Sequence, residues 1–556
     1  MYVRVKTTPN SPRKSVQIVE SVRSGDTVKQ RIVRHVGIAM DDQELEKLKE
    51  LAEHIKYKIK EERQPSLFRP DQLAEIAIEA KKQQDDNPIL VNLKELEEEQ
   101  RAVCGIHEIY GEIYDSLKFN TLFSPNREVG ANQILKHITM ARIANPSSKR
   151  AAVINLEKDF GISLQLDQVY RMMDKIDENV RQDIENKSFE ATRKLFQDKI
   201  DVIFVDATTL YFESFTEDEF KKNGYSKDLK FNQPQVLLAL MVTKQGLPIG
   251  YEAFPGSMYE GHTLLPLLKK LRDKHNLDKV VFVADSGLFN DDNLKALEEE
   301  GFEYIIGARL KNLPKKVQEN ILEPSNYHDI PTAEEDQIRY CEIEHEERRL
   351  IISHSAKRAR KDAADREKTV EKIRQKLKGS KDPSQLMSNY GHKKFVKLQG
   401  SSEVVLDEEK IQKATLWDGL HGVISNSSDL SSTEILSQYR GLWQVEESFR
   451  ITKHDLKIRP IFHWTPERIK AHIALCFMAF TCVRHLEYRV ALQYKKLSPE
   501  AIRAALVRVQ ISVLKDRQNN RYAIPSQACQ DARKIYQTMG KKYSIQPYRL
   551  EELSKM

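Results

Sequence analysis

Two stretches constrain this chain more than any others: "VIFVDATTL", starting at Val202, and "VVFVADSG", starting at Val280. Each is a run of Val, Ile and Phe without charge. Such a run reads as a strand buried on both faces, because a half-exposed strand alternates polar and apolar positions. Each run then meets a carboxylate, Asp206 in the first and Asp285 in the second. One such residue is explained by a turn, since Asp before Ala-Thr-Thr bonds its own backbone and ends a strand. Two are harder to explain that way. If the strands are neighbours, their Asp side chains converge at one end of the sheet, where open α/β sheets hold their sites. Like charges held close raise one another's pKa unless a cation lies between them, and hard oxygen donors favour magnesium or manganese.

A third donor is sought in "QYRGLWQVEESFRITKHDL", which predicts a helix from about Glu434 to His454. Tyr439, Glu446 and Lys453 recur at heptad spacing and so fall on one stripe that drifts only about 20° per heptad. Leu442, Val445, Phe449 and Leu456 form an adjoining apolar face. This geometry sets Glu446 at the margin of the buried face and turns Glu447 toward solvent. A surface helix with a Glu446–Arg450 pair explains the charge but not the aligned Tyr and Lys.

The rest of the chain divides by pattern. Residues 1–40 alternate as short strands between turn signals and predict a small antiparallel β unit. Residues 41–100 read as a charged helical linker, in which the acidic "ELEEEQ" is a solvated helix face. Residues 101–198 are helical, with Ser147 or Ser148 as an N-cap and Gly161 as a C-cap. There Arg142, Lys149 and Arg150 meet at a helix junction, where cations and helix N-terminal amides suit a phosphate backbone. Residues 199–310 begin as a three-strand meander and pass into alternating helix and strand, which predicts a mixed α/β sheet. The separation of Asp285 from Glu446 is too long for one connection, so an inserted α+β domain is expected over 311–429. Within it, Lys357–Lys378 carries 10 Lys/Arg against 4 Asp/Glu, suiting a DNA-facing helix or a solvated coiled-coil arm. Trp417 is either a core residue or a platform for an unpaired base. The core resumes over 430–495, and 496–556 is expected to be helical.

Composition excludes little. Lys plus Arg exceed Asp plus Glu by 89 to 83, and a net charge of +6 cannot identify a nucleic-acid binder at this length. The charged N-terminus lacks the apolar stretch of an export signal, and Ile473–Val483 is too short to cross a bilayer, so a cytoplasmic location with no membrane partner is expected. Five scattered cysteines without CxxC spacing argue against a disulfide framework and a zinc site.

"VDATT", "ADSG" and the Tyr439–Glu446–Lys453 series together resemble the DDE transposases of bacterial insertion sequences whose third motif combines Tyr, Arg, Glu and Lys. The likeness runs from about Gly130 to about Leu486. Where that motif has its Arg, this chain has Leu442, and Arg440 or Arg450 is a candidate to replace the lost cation. The resemblance implies a ribonuclease-H-like core and Asp206, Asp285 and Glu446 as catalytic ligands of two divalent metal ions, magnesium with manganese able to substitute. It also implies Tyr439 and Lys453 as contacts to double-stranded DNA, a homodimer on paired element ends, and no small-molecule substrate. A nuclease or resolvase on the same core, or a non-catalytic DNA-binding regulator, are the alternatives.

Overall fold

The computed structural model describes residues 1–7, 14–24, 27–39, 41–63, 91–197, 200–213, 216–224, 232–275, 280–288, 291–330, 338–379, 394–399 and 403–550. The chain divides into two compact units, Met1–Asn92 and Leu93–Met556.

In the first unit, β1 (Tyr2–Thr7), β2 (Lys14–Ser24) and β3 (Thr27–Ala39) form the expected antiparallel sheet. Helix α1 (Asp42–Arg63) packs on it, burying Leu45 and Ala52 against Val16 and Ile18. Leu45, Leu48, Ala52 and Ile55 recur at helical spacing, which gives α1 an apolar face. The segment from Asp41 is therefore part of the β unit's core rather than a linker at its start. The prolines and "QQDDNP" that suggested a linker lie outside the described residues.

The second unit opens with β4 (Glu97–Val103), where a solvated helix face was expected; Glu97 and Glu98 instead pair across to a strand near the C-terminus. A helical layer follows: α2 (Gly105–Ser116), α3 (Val129–Ala144), α4 (Lys149–Phe160), α5 (Leu166–Met173) and α6 (Glu178–Leu195). Ser148 caps α4 by accepting from the Ala151 amide at 3.2 Å, and Gly161 closes it at φ 70°.

Next come β5 (Val202–Tyr211), β6 (Gln235–Thr243), β7 (Pro248–Pro255), α7 (Leu264–His275), β8 (Val281–Ala284), α8 (Asp291–Glu299) and β9 (Glu303–Ala308). Beyond them lie α9 (Lys315–Leu322), β10 (His328–Ile330), β11 (Ile338–His345), β12 (Arg348–Ser355), α10 (Ala356–Gly379), β13 (Val396–Gln399), β14 (Glu403–Leu406), α11 (Glu408–Thr415) and β15 (Leu420–Ser425). One nine-stranded mixed sheet runs in the order β10-β11-β12-β15-β9-β8-β5-β6-β7. The meander β5–β6–β7 is antiparallel, whereas β5, β8 and β9 are mutually parallel.

The sheet changes the picture of the expected insertion. Four of its strands, β10, β11, β12 and β15, extend the main sheet, because β15 pairs with β9 through Val423–Gly307 and Ile424–Ile306. What stands apart is the hairpin β13–β14 with α10, whose Val370 and Ile373 pack on Phe395, Val396 and Val404. The basic helix is thus a half-anchored helix with an apolar stripe. Trp417 is half-buried among Leu310, Leu350 and Ile352, with the Lys311 ammonium 5.8 Å from its ring, so it is a packed residue.

The chain ends with α12 (Ser432–Arg440), α13 (Trp443–Arg450), a π turn (Ile451–Asp455), α14 (Pro466–Gln493), α15 (Pro499–Val507), β16 (Gln510–Lys515), β17 (Arg521–Pro525), α16 (Gln530–Thr538) and β18 (Tyr548–Arg549). The C-terminal region is not all helical: a second sheet runs β18-β17-β16-β4. Helix α14 contains the long apolar run and passes a length-and-hydropathy test for a membrane span, but 94% of that window is buried in the protein. It is tied to the β6–β7 turn by Arg484, which donates to the carbonyls of Gln245 and Gly246 at 3.0 and 2.8 Å. Gly246, at φ 76°, answers both demands of that turn, since a Cβ there would also strike the guanidinium.

Candidate active site

The site is built on strand register. Val205 on β5 pairs with Ala284 on the parallel β8, so Asp206 and Asp285 follow at the next position of neighbouring strands. Strand β5 continues to Tyr211, so Asp206 does not end it and the simple turn reading fails. Asp206 is half-buried, pairs across to Leu240, and its Oδ1 accepts from the Ala207 amide at 2.7 Å. Asp285 does end its strand and is exposed.

The third motif reaches this edge from the opposite side. The Tyr439 hydroxyl donates to Asp285 Oδ1 at 3.3 Å. Burial, then the Asp285 charge, push its phenol pKa up, so it remains a neutral donor. Gly307 on β9 makes room, because a Cβ there would meet the Tyr439 hydroxyl and the Ser286 amide. The Lys453 ammonium donates to the hydroxyl of Thr208, two residues beyond Asp206 and on the same strand face. Thr208 and Gly307 were not singled out from sequence; the strand period would have pointed to Thr208.

The helix carrying these residues is broken. Helix α12 ends at Arg440, α13 begins at Trp443, and a π turn starts at Ile451, so the single helix expected over 434–454 does not form. Gly441 sits against the Phe204 ring, where a Cβ would collide. The breaks change the helical phase and reverse the expected burial. Glu446 is exposed, whereas Glu447 is the more covered of the two and pairs with Arg450 at 3.3 Å and Lys496 at 3.8 Å. Glu446 remains close enough to Tyr439 for its charge to act on the phenol, and α13 packs on β5. Leu442, in place of the motif Arg, is buried; Arg440 and Arg450 are both exposed.

His421 on β15 also faces the site. Its ring centroid lies 5.0 Å from that of Tyr439. Burial, then the Arg358 charge, lower its pKa to about 4, leaving the imidazole neutral at ordinary pH. Strand pairing between β9 and β15 brings it there, and no local sequence signal marks it.

The expected phosphate contacts of the helical layer fare differently. Arg150 is exposed, but Arg142 and Lys149 are buried, because α3 and α4 pack against the 456–472 segment. Arg142 donates to the carbonyls of Leu456 and Lys457 at 3.4 and 3.2 Å, and Lys149 bonds His472 at 3.1 Å. Both are held by the protein itself, on the wall of a pocket and not on an exposed face.

Asp206, Asp285 and Glu446 offer only carboxylate oxygens, the donor set of a hard divalent cation. Among the described residues no three His, Cys, Asp or Glu side chains close around a common point, so they suit the ion by chemistry without forming a finished cage.

Two carboxylates thus stand at matching positions of adjacent parallel strands of a mixed sheet, with Tyr439 and Lys453 reaching the same edge. Residues 197–482, just over half of the chain, match the family described as the transposase DDE domain, and the chain belongs to that family. Residues 3–66 match the N-terminal domain of IS1634 family transposases, which makes this an insertion-sequence DDE transposase. That second match spans β1–β3 and α1 together. Among solved structures the chain is similar to the Mos1 transposase paired-end complex with left transposon end, at 14% identity and TM-score 0.14, over 28% of this chain and 53% of that one. The chain thus aligns with about half the length of that structure. No curated protein matches it.

Proposed function

We propose that this transposase cuts and joins DNA strands at the ends of its element, on a ribonuclease-H-like core, with Asp206, Asp285 and Glu446 as its catalytic carboxylates. One observation carries the reading: Asp206 and Asp285 follow a register pair on adjacent parallel strands, and Tyr439 and Lys453 reach the same edge. The three carboxylates would hold divalent magnesium, or manganese in its place. Such ions, when bound, activate an attacking oxygen and neutralise a leaving one. Tyr439, neutral and bonded to Asp285, fixes that carboxylate's rotamer. Lys453, on the neighbouring Thr208, sets a point charge where a backbone phosphate approaches. Exposed Arg440, Arg450 and Arg150 supply further cations to the duplex.

Water first displaces the 3′ oxygen at the element boundary, and the freed 3′-hydroxyl then attacks a phosphodiester of the target. Each step makes one P–O bond and breaks one, so no covalent protein intermediate is needed. Binding of paired ends by a homodimer, with end recognition by the 101–198 helices, completes the reading.

The test is magnesium-dependent cleavage of a labelled duplex carrying the element's own end. Cleavage at the boundary by the wild-type chain, lost in Asp206→Asn and Glu446→Gln but retained in Glu447→Gln, is the expected result. Loss in Glu447→Gln with retention in Glu446→Gln would overturn the assignment of the third carboxylate.

A further inference from the structure

A pocket of about 520 Å³ opens between the first turn of α4 and the 457–463 segment. That size falls within the range of small-ligand sites, about 300–1,000 Å³. Arg142, Lys149, Arg150, Lys457 and Arg459 line it, and among the described residues no Asp or Glu does. Lys149 is only 4% exposed. One of its three N–H donors meets His472 Nδ1 at 3.1 Å. His472 Nε2 lies 3.0 Å from the Ile458 carbonyl, which can only accept, so the ring proton sits on Nε2 and the imidazole is neutral. Among the described residues, therefore, no anion in the lining balances the buried ammonium. A buried cation left in that state is costly, and an anion entering the pocket removes the cost. The Lys149 and Arg150 amides, at the start of α4 ahead of the capped Ala151 amide, and the Ser148 hydroxyl proton add donors suited to phosphate oxygens. The exposed ring of Phe462 forms an aromatic wall on which a base can stack.

We propose that this pocket is a phosphate site sized for one nucleotide, with the phosphate against Lys149 and Arg150 and the base against Phe462. None of its lining residues belongs to the carboxylate edge, so the site stands or falls independently of the chemistry assigned there. The nucleotide is either free or the terminal unit of a DNA strand.

The full-length chain is titrated with inorganic phosphate, deoxyadenosine monophosphate, and a single-stranded octamer with a 5′-phosphate or a 5′-hydroxyl, following heat uptake and thermal melting. The monophosphate is expected to bind and raise the melting temperature. Lys149→Met should weaken binding at least tenfold, and the surface variant Arg150→Gln about threefold. Preference for the 5′-phosphorylated octamer over its hydroxyl twin assigns the site to strand ends; binding of the mononucleotide alone assigns it to soluble nucleotides. Absence of binding by all four probes, or unchanged affinity in Arg150→Gln and in folded Lys149→Met, overturns the proposal. Loss of boundary cleavage in Asp206→Asn with monophosphate binding intact would separate the two sites.

Discussion

The carboxylate edge and the cation-lined pocket hold their charges in opposite ways. At the edge, strand register places Asp206 and Asp285, α13 carries Glu446, and Asp285 and Glu446 stay exposed. Water solvates them, so an empty edge costs the fold little. In the pocket, helix packing buries Arg142 and Lys149. There each charge must be met by a partner or yield its proton. Arg142 has two carbonyls, whereas Lys149 has a neutral imidazole. A charge meant for a ligand can wait at a surface without cost, but in an interior its waiting state must itself be stable.

The largest effect expected from this contrast lies at the edge. Under the proposed function, Asp285→Asn lowers boundary cleavage at least a thousandfold, about 4 kcal/mol on the barrier. Its exposure means that the circular-dichroism melt should barely move. Cleavage within tenfold of wild type would show that the edge is not the reacting centre.

The second comparison sets a buried cation paired with a carboxylate against one met by a neutral imidazole. Arg484, 4% exposed, bonds Glu487 and two carbonyls, so Arg484→Met should cost about 3 kcal/mol by removing the nearer partner of buried Glu487, which keeps only Lys496 at 3.7 Å. Lys149→Met removes a charge that nothing balances and should cost less than about 1 kcal/mol, or stabilise the chain. Urea melts of both variants read the difference; equal losses would erase the distinction.

The parts of this architecture set by local pattern were legible in the sequence. Charge-free apolar runs marked β5 and β8, and the acids that follow those runs marked the edge. Gly161 and a serine cap marked the ends of α4. What depended on distant pairing was not. "ELEEEQ" looks helical until β16 offers it an edge, and the strands of the expected insertion look separate until β15 pairs with β9. The heptad of Tyr439, Glu446 and Lys453 contains the tyrosine and lysine that reach the edge. Its extrapolation through Gly441 misjudged Glu446 and Glu447, because a helical phase survives only in an unbroken helix. Arg142 and Lys149 were recognisable as cations, but burial by residues some three hundred positions away was not.

A smaller effect sharpens the account of the edge. Gly307→Ala puts a methyl group where the Tyr439 hydroxyl approaches Asp285. Boundary cleavage is expected to fall ten- to a hundredfold, with a matching loss in Tyr439→Phe and no further loss in the double variant. Additive losses would mean that Gly307 serves the strand rather than the tyrosine.

The smallest effect is a slope. Burial, then the Arg142 charge, lower the Lys149 pKa to about 7 from its ordinary 10.5. Between those values the unfolded chain holds a proton that the folded chain does not, so stability rises with pH, by up to about 1.4 kcal/mol per unit from this group. The groups facing it are Arg142, His463 and His472, whose imidazoles burial keeps neutral over this range, and Cys476. The difference in urea stability between wild type and Lys149→Met should therefore move in favour of wild type by about 1 kcal/mol from pH 7.5 to 8.5. Saturating deoxyadenosine monophosphate should flatten that slope, because a bound phosphate restores the ammonium's proton. A slope already flat without nucleotide would mean that the lysine keeps its proton unaided, and the uncompensated charge that motivates the phosphate site would be absent.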